Sequence, residues 1–121
     1  MSALVWAGVV LIGGAGSVLR FLVDGTVTAA MGKSFPYGTL VVNISGSVLL
    51  GLLTGLAVSG TVSLLAGTAA VGSYTTFSTW MLETQRMGEE RQHRKVAANI
   101  VVSLAAGVAA AALGKLIGGH L

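Results

Sequence analysis

The chain has 121 residues, 54% of them hydrophobic and only 9% charged, with seven Lys and Arg against four Asp and Glu. So few charges cannot clothe a small soluble body, which is mostly surface and ordinarily about a quarter charged. The composition argues against a soluble monomer and for one lipid-solvated domain, 1–121. No cysteine is present, which removes disulfides, thiolate metal sites and cysteine nucleophiles. Two His without a matching ligand cluster argue against zinc. Most of the cations behind the net charge of +3 gather in one short loop, so they read as a membrane-orientation signal rather than a nucleic-acid footprint.

Residues 1–19, 34–82 and 96–114 carry no charge. A bilayer core takes about 20 apolar residues per helix, so the first and last runs fit one span each. The middle run fits two, divided by the turn Ser59-Gly60-Thr61. Four transmembrane helices are therefore expected, over roughly 3–23, 37–58, 62–86 and 95–118. The first lacks the basic n-region of a signal peptide and ends in a Gly-rich, Arg-containing stretch that makes a poor cleavage site. Lys33, Arg86, Arg91, Arg94 and Lys95 fall in the loops after the first and third spans, and Lys115 alone on the other side. The positive-inside rule puts those two loops in the cytoplasm and both termini outside. Small residues recur every fourth position at Ser47, Gly51 and Gly55 and again at Ser103, Gly107 and Ala111, as close helix packing in lipid requires.

Polar groups at membrane depth are costly. Asn43 either joins two helices or offers its N–H donors to a passing anion. The run Gly72-Ser73-Tyr74-Thr75-Thr76-Phe77-Ser78-Thr79-Trp80 is rich in poor helix formers. It predicts a third helix broken near the midplane, with freed carbonyls and N–H groups that protein or an ion must satisfy. The competing reading is an unbroken helix whose hydroxyls bond to the preceding turn. Asn99 and Ser103 share a face of the fourth span, as an ion ladder or as glue between helices. Phe77 and Trp80, three apart, either turn positive ring edges toward an anion or simply pack. Arg20 and Glu83, near span ends, read as structural: Arg20 snorkels or caps loop carbonyls, and Glu83 pairs with a cation such as Arg86.

Three motifs in order resemble the Fluc (CrcB) family of fluoride channels. They are Gly13-Gly14-Ala15-Gly16-Ser17-Val18-Leu19-Arg20, then Phe35-Pro36-Tyr37-Gly38-Thr39-Leu40 leading to Asn43 and Gly46, then Gly72 to Thr79 followed by Glu83. Asn99 to Gly107 is similar but less specific. The resemblance implies an all-α, dual-topology dimer of antiparallel four-helix subunits in a bacterial or archaeal-type plasma (inner) membrane. Two fluoride pathways would run through it, each built by both subunits. Asn43, Phe77, Trp80, Thr79, Asn99 and Ser103 would line the pathway. A structural sodium ion would be held by the backbone carbonyls of Gly72 and Thr75. The partners implied are fluoride, lipid and a second subunit, with no nucleic acid.

The chain departs from that pattern where Trp80 replaces the family's usual second phenylalanine and where Asn99 stands in place of the tyrosine of some members. Its unequal loop charge also departs from what a dual-topology homodimer calls for, and suits one subunit of a heterodimer. Function is expected to be passive release of cytoplasmic fluoride. The alternatives are a heterodimer subunit, a non-transporting assembly subunit, and a small proton-coupled multidrug-type exporter, which needs a buried carboxylate that the first span, ended at residue 23, does not contain. No nucleophile–base pair, carboxylate dyad or metal cluster suggests an enzyme.

Overall fold

The structure, a computed structural model, describes residues 2–121, and every element is helical. Helix α1, Ala3–Met31, opens on Ser2, whose hydroxyl accepts from the Val5 amide at 3.2 Å. It stops at Gly32, whose φ of +85° suits glycine and whose N–H closes on Thr28 O at 2.8 Å. The helix thus runs well past the expected end near residue 23. Asp24-Gly25 does not break it because one mid-helix glycine costs only about 1 kcal/mol. Asp24 also gains a partner there: Thr28 Oγ1 donates to its Oδ1 at 3.4 Å. Asp24 is therefore a carboxylate inside the first helix, contrary to the expectation that this helix holds none.

Helix α2, Tyr37–Gly55, follows Pro36, and Ala57 and Gly60 turn the chain with positive φ. The next segment is assembled in pieces. A single turn, α3 (Gly60–Val62), passes into a π-helical stretch, Ser63–Val71, and then into α4, Gly72–Tyr74. Thr75 is extended, with φ −79° and ψ 160°, and helix resumes as α5, Ser78–Glu89. Arg91, at φ +58°, turns the chain into α6, His93–Gly119. Of these, α1, α2 and α6 are each long and apolar enough to cross a membrane. Their outward side chains, such as Leu4, Val10 and Phe21 on α1 and Val101, Val108 and Leu116 on α6, lie exposed on the single chain. A hydrocarbon solvent suits that surface; water does not. The chain is a membrane-spanning helical protein.

Two glycine seams organise the bundle. A Cβ on Gly51 would strike the backbone at Ala111, one on Gly55 that at Lys115, one on Gly114 that at Val48, and one on Gly118 that at Leu52. Helices α2 and α6 therefore meet backbone to backbone over most of their length, which is how helices adhere without a hydrophobic drive. On the other side, Gly16 of α1 admits Ser73 and the Ala70 carbonyl, and Gly46 of α2 admits the Thr75 side chain. The interrupted segment is wedged between α1 and α2, with Val42 fully buried at 0% exposure.

Candidate functional site

The interruption at Thr75–Phe77 sets the local chemistry. In an unbroken helix, the Thr76 and Thr79 amides would donate to the carbonyls of Gly72 and Thr75. Here both amides are diverted. Thr76 N–H donates to Asn43 Oδ1 at 2.8 Å, and Thr79 N–H donates to Thr76 Oγ1 at 3.2 Å. The second contact caps the start of α5. Asn43 Nδ2 returns a bond to Thr76 O, also at 2.8 Å. One side chain from α2 therefore clamps both polar groups of the Thr76 peptide, which otherwise would lie unpaired in an apolar setting. Of the two amide hydrogens on Asn43, the clamp uses one. Glue and donor, posed as alternatives in the sequence, are compatible at this residue.

Asn43, Phe77 and Trp80 line one concavity, together with Ser47, Thr75 and Thr76. Phe77 is 69% exposed on the single chain. Its ring meets Trp80 in a T-shaped pair, with centroids 5.6 Å apart and planes at 76°. Tyr74, just before the break, is buried, with its hydroxyl 2.9 Å from Ser45 Oγ. Thr79 lies elsewhere. It shares a cavity of about 210 Å³ with Arg20, Asp24, Thr39 and Thr76. Asn99 and Ser103 do not reach that concavity. Asn99 is 1% exposed and donates through Nδ2 to Thr84 Oγ1 at 2.9 Å, while Ser103 Oγ donates to Asn99 Oδ1 at 3.4 Å.

Arg20 is half-buried against that second cavity rather than wholly turned out to the interface. Glu83 lies beside Thr39 and near Asp24 and Arg86, yet its Oε1 is buried without a hydrogen-bond partner. Arg86 acts on Glu83 only through space, so the contact pair read from the sequence is not made and that oxygen stays unsatisfied. Thr39 is the residue sequence reasoning missed. It is only 3% exposed, its hydroxyl has no partner, and it borders the Arg20 cavity. Its place four residues before Asn43, on the same helix face, was the available signal. Gly38, beside it, has no room for a Cβ because the Asp24 carboxylate and carbonyl press on its backbone.

Comparison with known proteins gives this arrangement its context. Residues 7–115 match the family described as CrcB-like protein, Camphor Resistance (CrcB). The fluoride-specific ion channel FluC 2 of Mycolicibacterium paratuberculosis is 67% identical over 111 residues, covering 92% of this chain and 91% of that protein. A protein of the same name from Mycobacterium tuberculosis is 61% identical over 117 residues, covering 97% and 93%. The fluoride-specific ion channel FluC 1 of Symbiobacterium thermophilum is 40% identical over 119 residues, covering 93% and 96%. The family match takes in every element from α1 to α6, the Asn43 clamp and the Phe77–Trp80 pair included, and the chain belongs to the CrcB family.

Proposed function

We propose that the chain is a subunit of a fluoride-selective channel that lets cytoplasmic fluoride leave the cell passively. The observation that carries this reading is identity of 61–67%, over nearly the whole chain, to relatives named as fluoride-specific ion channels. The concavity beside the break supplies the chemistry. Fluoride is small and strongly hydrated, so its path needs donors to replace water without binding too tightly to release. The spare Asn43 amide hydrogen, the partly positive ring edges of Phe77 and Trp80, and the hydroxyls of Thr79 and Thr39 beside Arg20 are such donors.

The segment from Gly60 to Glu89 is the fourth crossing in this reading, broken at Thr75–Phe77. Two subunits pair antiparallel in the plasma membrane of a prokaryotic cell, and the partner covers the exposed Phe77. Where the breaks meet on the two-fold axis, the carbonyls of Gly72 and Thr75 from both chains can hold a sodium ion. The fit is chemical: these are the two carbonyls whose helical donors the clamp and the Thr76 cap divert, and a hard cation takes oxygen ligands. The ion supplies positive charge that holds the two breaks together. Within the chain, Asn43 orients the Thr76 peptide and draws its amide from the Gly72 carbonyl, and Thr76 Oγ1 draws the Thr79 amide from that of Thr75.

Fluoride efflux from liposomes holding this chain alone tests the proposal, read by a fluoride electrode with chloride as control. Fast, fluoride-selective release supports it and shows that one chain suffices. Well-folded protein that releases no fluoride, alone or with a paralogous partner, refutes it.

A further inference from the structure

An indole N–H inside a span needs an acceptor, because hydrocarbon offers none. For Trp80 the acceptor is the backbone carbonyl of Asn99, at 3.3 Å. That carbonyl lies in α6, and its two lone pairs serve both the indole and the helix. The Asn99 side chain reaches back the other way. Its Nδ2 donates to Thr84 Oγ1 at 2.9 Å, and Thr84 Oγ1 donates to the main-chain oxygen of Trp80 at 2.7 Å. The main chain at Asn99 thereby holds the indole, while the Asn99 side chain ties α6 through Thr84 to the backbone of Trp80 and keeps that carbonyl within reach. Both intermediaries are buried, Thr84 at 9% and Asn99 at 1% exposure.

A tryptophan has only two side-chain torsions, so the indole bond to Asn99 O and the packed Phe77 ring together restrict its orientation. In that orientation the N–H is engaged by α6, and only carbon edges are left free. The polar tip that distinguishes Trp from Phe is thereby hidden.

We propose that Asn99 and Thr84 are positioning residues for permeation, which fix the Trp80 indole on the α6 backbone so that its carbon edge, not its N–H donor, meets the ion. The inference rests on the fluoride-channel reading for its consequence, but not for its geometry. An unpinned indole would swing its N–H into the path, bind fluoride more tightly and slow its release.

The test uses Thr84→Val and Asn99→Leu, both keeping the branched shape, in full-length protein carrying Trp6→Phe so that Trp80 is the sole indole. Each is expected to lower fluoride efflux about 5- to 10-fold and to change the indole emission maximum and anisotropy. In a Trp80→Phe background, which has no N–H to pin, the same two substitutions should change efflux less than twofold. Thr84→Ser, which keeps the hydroxyl, should restore both signals. Equal losses in the Trp80 and Trp80→Phe backgrounds would overturn the proposal, as would an indole signal unmoved by Thr84→Val. If the parent chain moves no fluoride, alone or with a paralogous partner, the channel reading has failed, while the emission and anisotropy readings still decide whether the anchor exists.

Discussion

Replacing Asn43 by leucine isolates the clamp, because leucine keeps its branched shape and heavy-atom count and removes both bonds to the Thr76 peptide. Interhelical hydrogen bonds in membranes average about 0.6 kcal/mol, so two bonds set a floor near 1.2 kcal/mol. Leaving both Thr76 groups wholly unsatisfied would cost about 1–3 kcal/mol each, a ceiling near 6. Thr76 is half-buried, so part of that penalty is relieved, and a loss of about 2–3 kcal/mol is expected. That lowers the folded-to-unfolded ratio roughly 30- to 150-fold. Unfolding in mixed micelles on titration with dodecyl sulfate reads it directly. Asn43→Asp keeps the acceptor for the Thr76 N–H and loses the donor, and should fall about midway. Fluoride efflux should be lost in both variants, since neither retains an N–H donor at this position. A leucine variant within about 0.5 kcal/mol of the parent would show that the clamp carries no energy, and the account of the break would fail.

Gly114→Ala should destabilise the protein by about 1–3 kcal/mol in the same titration, because its methyl must displace the α2 backbone at Val48. Gly14→Ala, with nothing within 4 Å of the new carbon, should instead be neutral or gain up to about 1 kcal/mol of helix propensity. Equal effects would refute the seam. Thr39→Val removes a buried hydroxyl beside the Glu83 carboxylate and should slow efflux; faster or unchanged efflux would remove Thr39 from the route. Exchange of sodium for choline should lower the thermal unfolding midpoint, and restoring sodium should recover it; no shift in either direction would argue against the carbonyl site.

Three spans were legible because α2 lies wholly within a run free of charge and α1 and α6 are each built around one. The end of α1 was not, because Asp24-Gly25 has the look of a stop. What keeps the helix going is Gly38, which makes room for the Asp24 carboxylate from a different helix. The hydroxyl-rich run pointed to an interruption near Thr75, and Asn43 stood out as a polar group at depth. Their meeting lay beyond sequence reasoning, since 33 residues separate Asn43 from Thr76 and no local period links them. The small-residue stripe of α2 was read at its true positions, Gly51 and Gly55. On α6 the contacts extend to Gly114 and Gly118, beyond the Ser103–Gly107–Ala111 set, because register between two helices is fixed by three-dimensional fit rather than by either sequence. Asn99 drew notice as a polar residue, but its orientation depends on Thr84 and Trp80, which only packing brings beside it.

The seam between α2 and α6 also bears on time. A nascent chain delivers α2 well before α6, so the glycine-lined face of α2 lacks its α6 neighbour for a time. The interrupted segment is made in that interval, its diverted amides held by Asn43 and by Thr76 Oγ1. The final helix then acts as a clasp, locking what was held open. Loss of the last two turns of α6, which carry Gly114, Gly118 and the Lys115 backbone against Gly55, would remove most of the seam and leave an unfastened chain, a natural target for the proteases that police the membrane.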